Sequence, residues 1–483
     1  MRLDRGLKRS APNQLGDSLT GKIAVGTPRV VVLGGGLSGM AAAYTLARAG
    51  VGEVTLLEAG ATLGGLAGSF EREDHFYPLG YHHILHRDRA LLYFLELIGA
   101  LPDVVWRRIQ MLFHLGGQSY DLASPSGFLR FPMSLADKAR FMRLMVKTFS
   151  QPDWAAWQDR SAAELVDHYG SPGVREALFE RLTRLKFDLP CGDVSGAWLG
   201  ARLHFREGSA PLGYIPHANW TKVLCDGVTQ LLQETGIHIR LRAPVAHLHT
   251  SQGRVVEAEL ESGERIAGDV FISTVPTRIY LGLVPEDTTP ELRRIRYTAL
   301  ISAICATRQP VTPQAYWNNL ASLDRTAGAI FLLSALNPTI GRQGDTCVNF
   351  VTHLPACDHP LFRLPKDQLM ARYADDFREV FGIELQPFWT HISRVPMYSP
   401  VFDRGFRNPP MMSTSWGNVY FAGNYRTFPS IVSTGTALGS GVATASALLG
   451  DLGRASGLSQ SIANFRLRSM PRANPLPDAG ALV

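Results

Sequence analysis

The chain has 483 residues, of which 45% are hydrophobic and 19% are charged, and its formal net charge is +6. This balance is typical of a globular protein and excludes a fibrous or largely disordered one, and the length predicts two or three domain-sized units. The basic residues are not gathered in one tract, so we expect no nucleic-acid partner, although a mildly basic surface favours anionic substrates or a membrane surface. The five cysteines are scattered without a Cys-x-x-Cys pair, which indicates a reducing cytoplasmic location and neither a disulfide framework nor a zinc ribbon.

The two ends of the chain differ from the rest. Residues 1–28 carry several basic side chains and lack an apolar core, so we expect a flexible basic extension and not a signal peptide. Residues 456–483 include an Arg- and Pro-rich stretch, and we expect a frayed tail. Residues 427–450 are uncharged but consist mostly of Gly, Ser, Thr and Ala, which argues against a transmembrane helix.

The first predicted elements are a strand, a glycine-rich turn, a helix and a second strand. The apolar run Val30 to Leu33 precedes Gly34-Gly35-Gly36-Leu37-Ser38-Gly39, an Ala- and Leu-rich helix ends at Gly50, and the next strand leads to Glu58. This is the order of a parallel βαβ unit, and Gly-x-Gly-x-x-Gly in this context, with an acid twenty-four residues after Gly34, predicts a dinucleotide site.

Each residue of this motif has a physical task. Gly34 permits the tight turn, Gly36 lets a pyrophosphate approach the backbone at the positive end of the helix, and Gly39 lets helix and strand pack closely. Glu58 can accept hydrogen bonds from a ribose diol. A structural glycine turn in an ordinary α/β unit is the alternative interpretation.

A second distinctive segment, PLGYHHILHRD at residues 78–88, places three histidines within five positions. On a helix, His82 and His86, or His83 and His86, would share a face, which raises the question of a metal site, an acid–base site or the lining of another pocket. Asp88 is the nearby acid, and one acid beside three histidines is not a convincing ligand set, so we predict no metal.

The remaining chain changes its hydrophobic period twice. Residues from about 90 to 210 show the three- and four-residue steps of helices, and from Gly236 a period of two predicts a meander of strands that ends with Val270 to Val275. Residues from about 290 to 395 mix both patterns. The last ordered block, 419–450, predicts a strand, a glycine-containing turn and a helix of small residues.

Downstream of Glu58 the sequence AGATLGGLAGSF places Gly64-Gly65 six and seven residues after the acid. With this extension the chain resembles the FAD-dependent amine oxidase and protoporphyrinogen oxidase superfamily, in which a glycine pair follows the acid. GERIAGDVFISTVP at 263–276 and VYFAGNYRTFPSIVSTGTALGSG at 419–441 resemble two further stretches of that superfamily. The resemblance covers roughly residues 29–450.

The resemblance implies an α/β fold with two domains. A Rossmann-type FAD-binding domain, with three layers around a parallel sheet, would be formed discontinuously by residues 29–89, 212–288 and 395–455. An α+β substrate domain would be formed by residues 90–211 and 289–394. No second dinucleotide motif follows a strand, so we expect no NAD(P)H domain, and the cysteine that the family uses for covalent flavin is missing, so we expect noncovalent FAD.

The resemblance also implies the site residues. The implied cofactor contacts are Gly34, Gly36, Leu37, Ser38, Gly39, Glu58, Ala59, Gly64, Gly65, Leu66, Gly80, Tyr81, His82, Val245, Gly423, Asn424, Ser430 and Val432. At Asn424 the family usually has an acid, and an amide can still accept a hydrogen bond from a ribityl hydroxyl, although without charge. Residues around Gly80 would form a loop over the isoalloxazine, with the His82 side chain turned away.

The candidate catalytic residues are His83, His86, Lys186 and Arg202. The two histidines could tune the flavin or move a proton, or they could only hydrogen-bond their loop. Lys186 could face the flavin or an anionic substrate, or it could lie on the surface of its helix. Arg202, with Arg130 and Arg206, could hold an anionic group, or these arginines could be solvated.

The resemblance implies an FAD-dependent oxidoreductase that oxidises or desaturates an organic substrate by hydride transfer to flavin N5. The alternative is a non-redox flavin-dependent mutase of sugar nucleotides, because GYHHILHRD, QSYDLASPSGFLRFPMSLADKARF and RLKFDLPCGDVSGAWLGARL resemble segments of UDP-galactopyranose mutase. A porphyrinogen oxidase proper and a flavin-binding protein without catalysis are further alternatives. The substrate would be a small organic molecule, anionic or lipid-linked.

Contact with a membrane surface, such as the inner membrane, is a side hypothesis. KARFMRLMVKTF at residues 138–149 is cationic and apolar at helical spacing, as an interfacial helix would be. Packing of this helix within the substrate domain is the expected alternative. The sequence predicts no oligomeric state.

Overall fold

The computed structural model describes residues 28–205, 211–321 and 324–467. The predicted basic extension therefore lies outside the described residues except for its last residue, and so do Arg206 and the end of the predicted tail.

The described residues form short and medium strands throughout the chain. The strands are β1 Arg29–Leu33, β2 Glu53–Leu57, β3 Ser69–Arg72, β4 His75–Pro78, β5 Ile84–Leu85, β6 Val105–Arg107, β7 Met111–Leu115, β8 Gln118–Tyr120, β9 Leu212–Tyr214, β10 His238–Arg240, β11 Val245–Ser251, β12 Arg254–Leu260, β13 Arg265–Ala267, β14 Val270–Ser273, β15 Tyr297–Thr307, β16 Trp317–Leu320, β17 Ala329–Leu332, β18 Thr346–Leu354, β19 Trp389–Pro400 and β20 Val419–Phe421.

Helices are concentrated in three regions. The α-helices are α1 Leu37–Arg48, α2 Arg89–Leu97, α3 Pro125–Arg130, α4 Leu135–Ser150, α5 Ala162–Tyr169, α6 Pro172–Val174, α7 Glu180–Phe187, α8 Gly196–Phe205, α9 Trp220–Glu234, α10 Thr277–Leu283, α11 Pro290–Arg294, α12 Leu333–Leu336, α13 Pro360–Arg363, α14 Lys366–Phe381, α15 Thr434–Asp451 and α16 Leu458–Asn464. A π-helical segment, Arg175–Phe179, leads into α7, and 3₁₀ turns cover Gly65–Ala67, Leu101–Asp103, Ala155–Trp157 and Asn424–Arg426.

A five-stranded parallel sheet carries the predicted βαβ unit. Its strand order is β10-β2-β1-β14-β20, and each neighbouring pair is parallel. Because successive side chains of a strand point to opposite faces, Val30 and Val32 pack with α1 and α15, whereas Val31 and Leu33 pack with side chains of β11 and β12. The sheet is thus covered by helices on one face and by the antiparallel sheet β11-β12-β13 on the other.

A seven-stranded sheet forms the second half of the molecule. Its order is β19-β15-β18-β17-β16-β7-β8, antiparallel except for the parallel pair β16 and β7. Every residue of β15 is buried, and Tyr373 and Phe377 of α14 belong to the same apolar cluster as this strand. Helices α4 to α8 pack together beside this sheet, as the three- and four-residue periodicity predicted.

Two sequence expectations need correction, and the domain boundaries stay a prediction. The strands between Gly236 and Pro276 are not one meander, because β10 and β14 join the parallel sheet and only β11 to β13 form an antiparallel sheet. Helix α2, which falls in the predicted substrate segment, packs against α15 and α9. The tail predicted to fray from residue 456 instead forms α16, whose Ile462 packs on the apolar cluster around the parallel sheet, with the ring of the following Phe465 against Tyr93. The apolar residues of this segment provide the packing surface. The Arg and Pro residues that favour a frayed tail mostly follow it.

Helix α15 occupies most of the uncharged segment that raised the question of a transmembrane span. In the described part of the chain, no helix combines the length and the apolar character needed to cross a membrane.

Candidate active site

A cavity of about 480 Å³ lies between the two halves of the molecule. One wall is formed by the loops that follow β1, β2 and β14, together with the segment between β20 and α15. The opposite wall is formed by the histidine segment, by Met111 and Trp317 of the seven-stranded sheet, and by residues of α7 and α8. The carboxyl ends of parallel strands therefore face the cavity, which is where open α/β sheets bind ligands.

The glycine-rich loop after β1 is held by very close contacts. Gly34 has a φ of +99°, and a Cβ at this position would lie 2.8 Å from Oγ1 of Thr274. A Cβ at Gly39 would lie 1.9 Å from the Gly34 carbonyl oxygen, so only glycine allows the first turn of α1 to pack on the loop. No side chain caps the amino end of α1, and its first turn has no acid, which leaves amide groups available to an anion.

The Gly64-Gly65 turn lies directly on this loop. The Gly64 amide donates a hydrogen bond of 2.9 Å to the Gly35 carbonyl, and Gly36 and Gly64 form a parallel bridge. Gly64 and Gly65 have φ values of +124° and +56°, the left-handed region that favours glycine. The glycine pair that follows the acid thus extends the loop after β1 into one continuous backbone surface.

Glu58 joins the two turns through its carboxylate. Its Oε2 accepts a hydrogen bond of 2.7 Å from the Gly35 amide, and its Oε1 accepts one of 2.7 Å from the Gly60 amide. Both oxygens keep a lone pair that can accept from a ribose hydroxyl, and the residue lines the cavity.

These residues fit a dinucleotide. At Gly36 the cavity wall is bare backbone, because a Cβ there would meet only the Gly65 Cα, at 3.9 Å. Bare amides at a helix amino terminus bind pyrophosphate, and a carboxylate at the end of the next strand binds ribose. FAD would be held at this wall by Gly36, Leu37, Ser38, Glu58 and Gly65.

The turn after β20 closes the same wall. Oγ of Ser440 accepts a hydrogen bond of 2.9 Å from the Gly423 amide, and the side chain of Asn424 donates one of 3.1 Å to the Tyr398 carbonyl. The remaining amide oxygen of Asn424 is an acceptor suited to a ribityl hydroxyl. Gly423, Asn424 and Val432 line the cavity.

The histidine segment is an extended loop with the short strand β5, not a helix. His82, His83 and His86 all line the cavity, and the expectation that the His82 side chain turns away from the flavin stays a prediction. Its Nε2 donates a hydrogen bond of 3.1 Å to the Leu66 carbonyl, and burial lowers the pKa of His82 to about 4, so the ring is neutral at physiological pH.

Aromatic rings fix the other side chains of this loop. His83 is stacked on Trp317 with ring centroids 5.3 Å apart and an angle of 16° between the planes. Tyr81 is stacked on Phe331 at 4.2 Å and 14°. The loop is therefore attached to the seven-stranded sheet and crosses the cavity between the two halves of the molecule.

Two basic side chains, Lys186 of α7 and Arg202 of α8, stand in the wall that faces the dinucleotide residues. Burial, and after it the charge of Arg202, lowers the pKa of Lys186 to about 7. Burial also lowers the pKa of Arg202, whose guanidinium lies 5.6 Å from the Trp198 ring centroid. Among the described residues, no carboxylate contributes to the pKa of either cation, and their charges, after burial, also lower the pKa of His353.

The structure brings most predicted site residues to this one cavity. Those that line it are Gly34, Gly36, Leu37, Ser38, Glu58, Gly64, Gly65, Leu66, Tyr81, His82, His83, His86, Lys186, Arg202, Gly423, Asn424 and Val432. Lys186 was expected on a helix surface in the alternative interpretation, and its place in the cavity wall rules that alternative out. The predicted residues outside the lining are Gly39, Ala59, Gly80, Val245 and Ser430.

Several lining residues could not be identified from the sequence. Ile109, Met111, Phe205 and Trp317 come from separate segments that only the tertiary fold brings together. Thr274 is different, because it directly follows the apolar strand β14, and the end of a parallel strand is a position that could have been predicted. No group of three or more His, Cys, Asp or Glu residues that could hold a metal ion occurs within 28–205, 211–321 and 324–467.

Comparison with known proteins agrees with this geometry. The chain is 25% identical to coproporphyrinogen III oxidase of Mycobacterium tuberculosis over 419 residues, 77% of this chain and 88% of that protein. It is 22% identical to flavin-containing amine oxidase B of Canis lupus familiaris over 427 residues, 82% of this chain and 81% of that protein.

Solved structures show the same fold. A protein from Exiguobacterium sp. 255-15 that is assigned as a protoporphyrinogen oxidase superposes with a TM-score of 0.72 at 18% identity, covering 89% of this chain and 100% of that one. Reduced UDP-galactopyranose mutase superposes with a TM-score of 0.68 at 16% identity, covering 90% and 98%.

The sequence profile described as flavin containing amine oxidoreductase matches residues 37–449, which is most of the chain. FAD is the cofactor of this protein, as the glycine motifs predicted. The chain belongs to the flavin-containing amine oxidoreductase family, and it is an FAD-dependent oxidoreductase.

Proposed function

We propose that this oxidoreductase oxidises or desaturates an apolar organic substrate that carries an anionic group, by hydride transfer to N5 of noncovalently bound FAD. The observation that carries the proposal is the pair Lys186 and Arg202 in the cavity wall, without a carboxylate partner among the described residues. Buried cations are costly unless they are paired. An anionic group on the substrate would supply the missing partner.

The charge of the cavity also argues against a cationic substrate. Glu58 is the one acid among the described lining residues, and it lies at the dinucleotide end with hydrogen bonds from Gly35 and Gly60. A protonated amine at the other end would meet Lys186 and Arg202 and no carboxylate. The family description mentions amines, but the charges in this cavity favour an acid.

The remaining wall favours an apolar substrate body. Much of the lining consists of side chains without charge, among them Leu85, Ile109, Met111, Phe205, Leu212, Trp317 and Met397. Such a wall binds hydrocarbon or aromatic surface by excluding water, while a few polar groups fix the orientation. The name of the similar coproporphyrinogen III oxidase of Mycobacterium tuberculosis refers to coproporphyrinogen III, a macrocycle with carboxylate side chains, which has this combination of properties.

The chain supplies binding and orientation, and the cofactor supplies the redox chemistry. When bound, FAD would supply the acceptor for a hydride from a carbon of the substrate. Lys186 and Arg202 would hold the anionic group, and His83, fixed by stacking on Trp317, would keep the substrate against the flavin or take a proton from it, with His86 as the second candidate. None of the described cysteines lines the cavity, which supports noncovalent binding.

The domain division is part of this proposal. Residues 29–89, 212–288 and 395–455 would form a Rossmann-type, three-layer FAD-binding domain, and residues 90–211 with 289–394 would form the substrate domain. The parallel sheet supports this division, because its strands come from all three segments of the FAD-binding domain. These strands are β1, β2, β10, β14 and β20. The packing of α2 against α15 favours a boundary after this helix, with α2 counted in the FAD-binding domain.

Anaerobic titration of the holoenzyme tests the proposal. Coproporphyrinogen III should bleach the visible flavin absorbance, which should return when air is admitted, and benzylamine should not bleach it. The double variant K186M/R202M, with its flavin content checked, should lose the response. Bleaching by benzylamine alone, or a purified protein that releases no flavin on denaturation, would contradict the proposal.

The mutase alternative predicts a different result under the same anaerobic conditions. Incubation with UDP-galactopyranose would yield an isomer only with pre-reduced flavin and without consumption of an electron acceptor. Such turnover would replace the oxidase proposal by the mutase function.

A further inference from the structure

Helix α4 presents an uncovered apolar face to solvent. Large hydrophobic side chains on α4 and on the adjoining α3 are strongly exposed: Leu135 77%, Val146 65%, Leu129 62%, Met142 50% and Phe149 45%. Single exposed leucines are ordinary on protein surfaces. Five large exposed side chains in twenty-one consecutive residues are a patch, and such patches mark interaction surfaces. We call these five residues the α4 patch.

The positions on α4 form one stripe. Leu135, Met142, Val146 and Phe149 are separated by seven, four and three residues, and at 100° per residue they fall within an arc of roughly 60°. The opposite side of the helix packs inward through Leu144 and Thr148. Leu129 continues the stripe, because its carbonyl accepts a hydrogen bond of 2.7 Å from Nζ of Lys138 in the first turns of α4.

Basic side chains outnumber acidic ones in the segment that carries the patch, although Lys138 is buried. Residues 125–150 contain five basic side chains, Arg130, Lys138, Arg140, Arg143 and Lys147, and one acid, Asp137, for a net charge of 5 − 1 = +4. Arg130 and Arg140 are exposed. Arg143 is anchored by hydrogen bonds to the carbonyls of His168 and Tyr169. An exposed apolar stripe with exposed basic side chains beside it matches the interface of an anionic bilayer, where apolar side chains enter the acyl region and cations meet the headgroups.

The patch is also joined to the active-site cavity. Nδ1 of His204 donates a hydrogen bond of 3.0 Å to the Thr148 carbonyl, beside Phe149 at the end of the stripe. The neighbouring residues of α8, Arg202 and Phe205, line the cavity. Arg87, another lining residue, donates a hydrogen bond to the His204 carbonyl. One helix therefore separates the exposed stripe from the cavity wall.

We infer that the α4 patch docks the protein on the surface of an anionic lipid bilayer, and that this contact brings the cavity near membrane-dissolved amphiphiles. The docking is peripheral, with α4 lying in the plane of the interface. The inference of membrane docking depends on the α4 patch and its charges and not on the proposed oxidation, so the two are tested independently.

Sedimentation of the full-length holoenzyme with vesicles tests the inference. The wild type should bind vesicles made of equal parts phosphatidylcholine and phosphatidylglycerol, and it should bind phosphatidylcholine vesicles more weakly. The variant M142E/V146E should lose binding by on the order of tenfold for each substitution, because each removes the burial of one large apolar side chain. R130Q/R140Q should lower binding to the anionic vesicles by about fivefold for each charge, with little effect on phosphatidylcholine.

The matched control is L241E/I279E, since Leu241 and Ile279 are each 41% exposed but lie outside the α4 patch. This control should bind like the wild type, and all variants should keep the flavin content and melting temperature of the wild type because the substituted side chains face solvent. Equal sedimentation of M142E/V146E and the wild type would overturn the inference. The inference would also be overturned if the wild type did not bind anionic vesicles and instead formed a dimer, and if M142E/V146E were monomeric. That result would assign the α4 patch to contact with a second copy of the chain.

Discussion

The guanidinium of Arg202 and the ammonium of Lys186 share one wall of the cavity, and the charge of Arg202 adds to burial in lowering the pKa of Lys186 to about 7. A lysine with an ordinary pKa would be charged throughout the physiological range. Here, a small rise in pH above neutrality removes one of the two positive charges of the cavity.

The affinity for an anionic substrate should therefore depend on pH. Lys186 is a base, so it is charged below pH 7 and neutral above it, and anion binding should weaken by on the order of tenfold as the pH rises from about 6 to 9. Dissociation constants measured across this range by flavin absorbance give the test. K186M should bind weakly at all pH values, and K222M, which alters a half-buried lysine paired with Asp226 outside the cavity, should retain the profile. A flat wild-type profile would show that Lys186 does not contact the anion.

Two glycines of the loop after β1 should respond differently to alanine. G39A places a Cβ 1.9 Å from the Gly34 carbonyl oxygen, so the apoprotein should lose about 3 kcal/mol of unfolding free energy or more. G36A meets only the Gly65 Cα at 3.9 Å, so the apoprotein should melt normally while its FAD affinity falls. Thermal melting of apoprotein and fluorescence titration with FAD separate the two effects. Normal FAD affinity in G36A would place the pyrophosphate elsewhere.

Glu58 should act on both the loop and the cofactor. E58Q replaces one carboxylate oxygen by an NH₂ group, which cannot accept a hydrogen bond from a backbone amide. One of the two hydrogen bonds, from the amide of Gly35 or from that of Gly60, is therefore lost. We expect a loss of about 1–3 kcal/mol in stability and at least tenfold weaker FAD binding. The same melting and titration experiments apply, with E71Q, an exposed acid of β3, as the control. Unchanged FAD affinity would contradict a ribose contact.

Restoring the family's usual acid at position 424 should not improve this protein. The side-chain nitrogen of Asn424 donates to the Tyr398 carbonyl, and N424D would set a carboxylate oxygen against that carbonyl. We expect about 1–3 kcal/mol lower stability and weaker FAD binding. N408D is the comparison, because Asn408 also donates to a carbonyl, that of Phe428, but does not line the cavity. It should cost stability without changing FAD affinity, and a tighter FAD complex in N424D would refute the explanation.

The dinucleotide half of the site could be predicted because its chemistry is local in sequence. Gly34, Gly36 and Gly39 act through the backbone of one turn, and the end of the next strand supplies Glu58 at a fixed spacing. The far wall could not be predicted in the same way, since Lys186, Arg202 and Trp317 come from separate elements. Periodicity located the helices of Lys186 and Arg202, but the direction in which a charged side chain points depends on tertiary packing. For the same reason, the sequence suggested an amphipathic α4 without showing that its apolar stripe remains uncovered.

The cavity beside FAD should accept an anionic and not a cationic amphiphile. Titration of the oxidised holoenzyme with decanoate and with decylamine tests this expectation most directly, because the two probes have the same length of hydrocarbon chain and opposite charge. Decanoate should perturb the flavin spectrum saturably, and K186M/R202M should abolish that response, whereas decylamine should have no effect at pH 7. Saturable perturbation or reduction of the flavin by decylamine, with none by decanoate, would contradict the account.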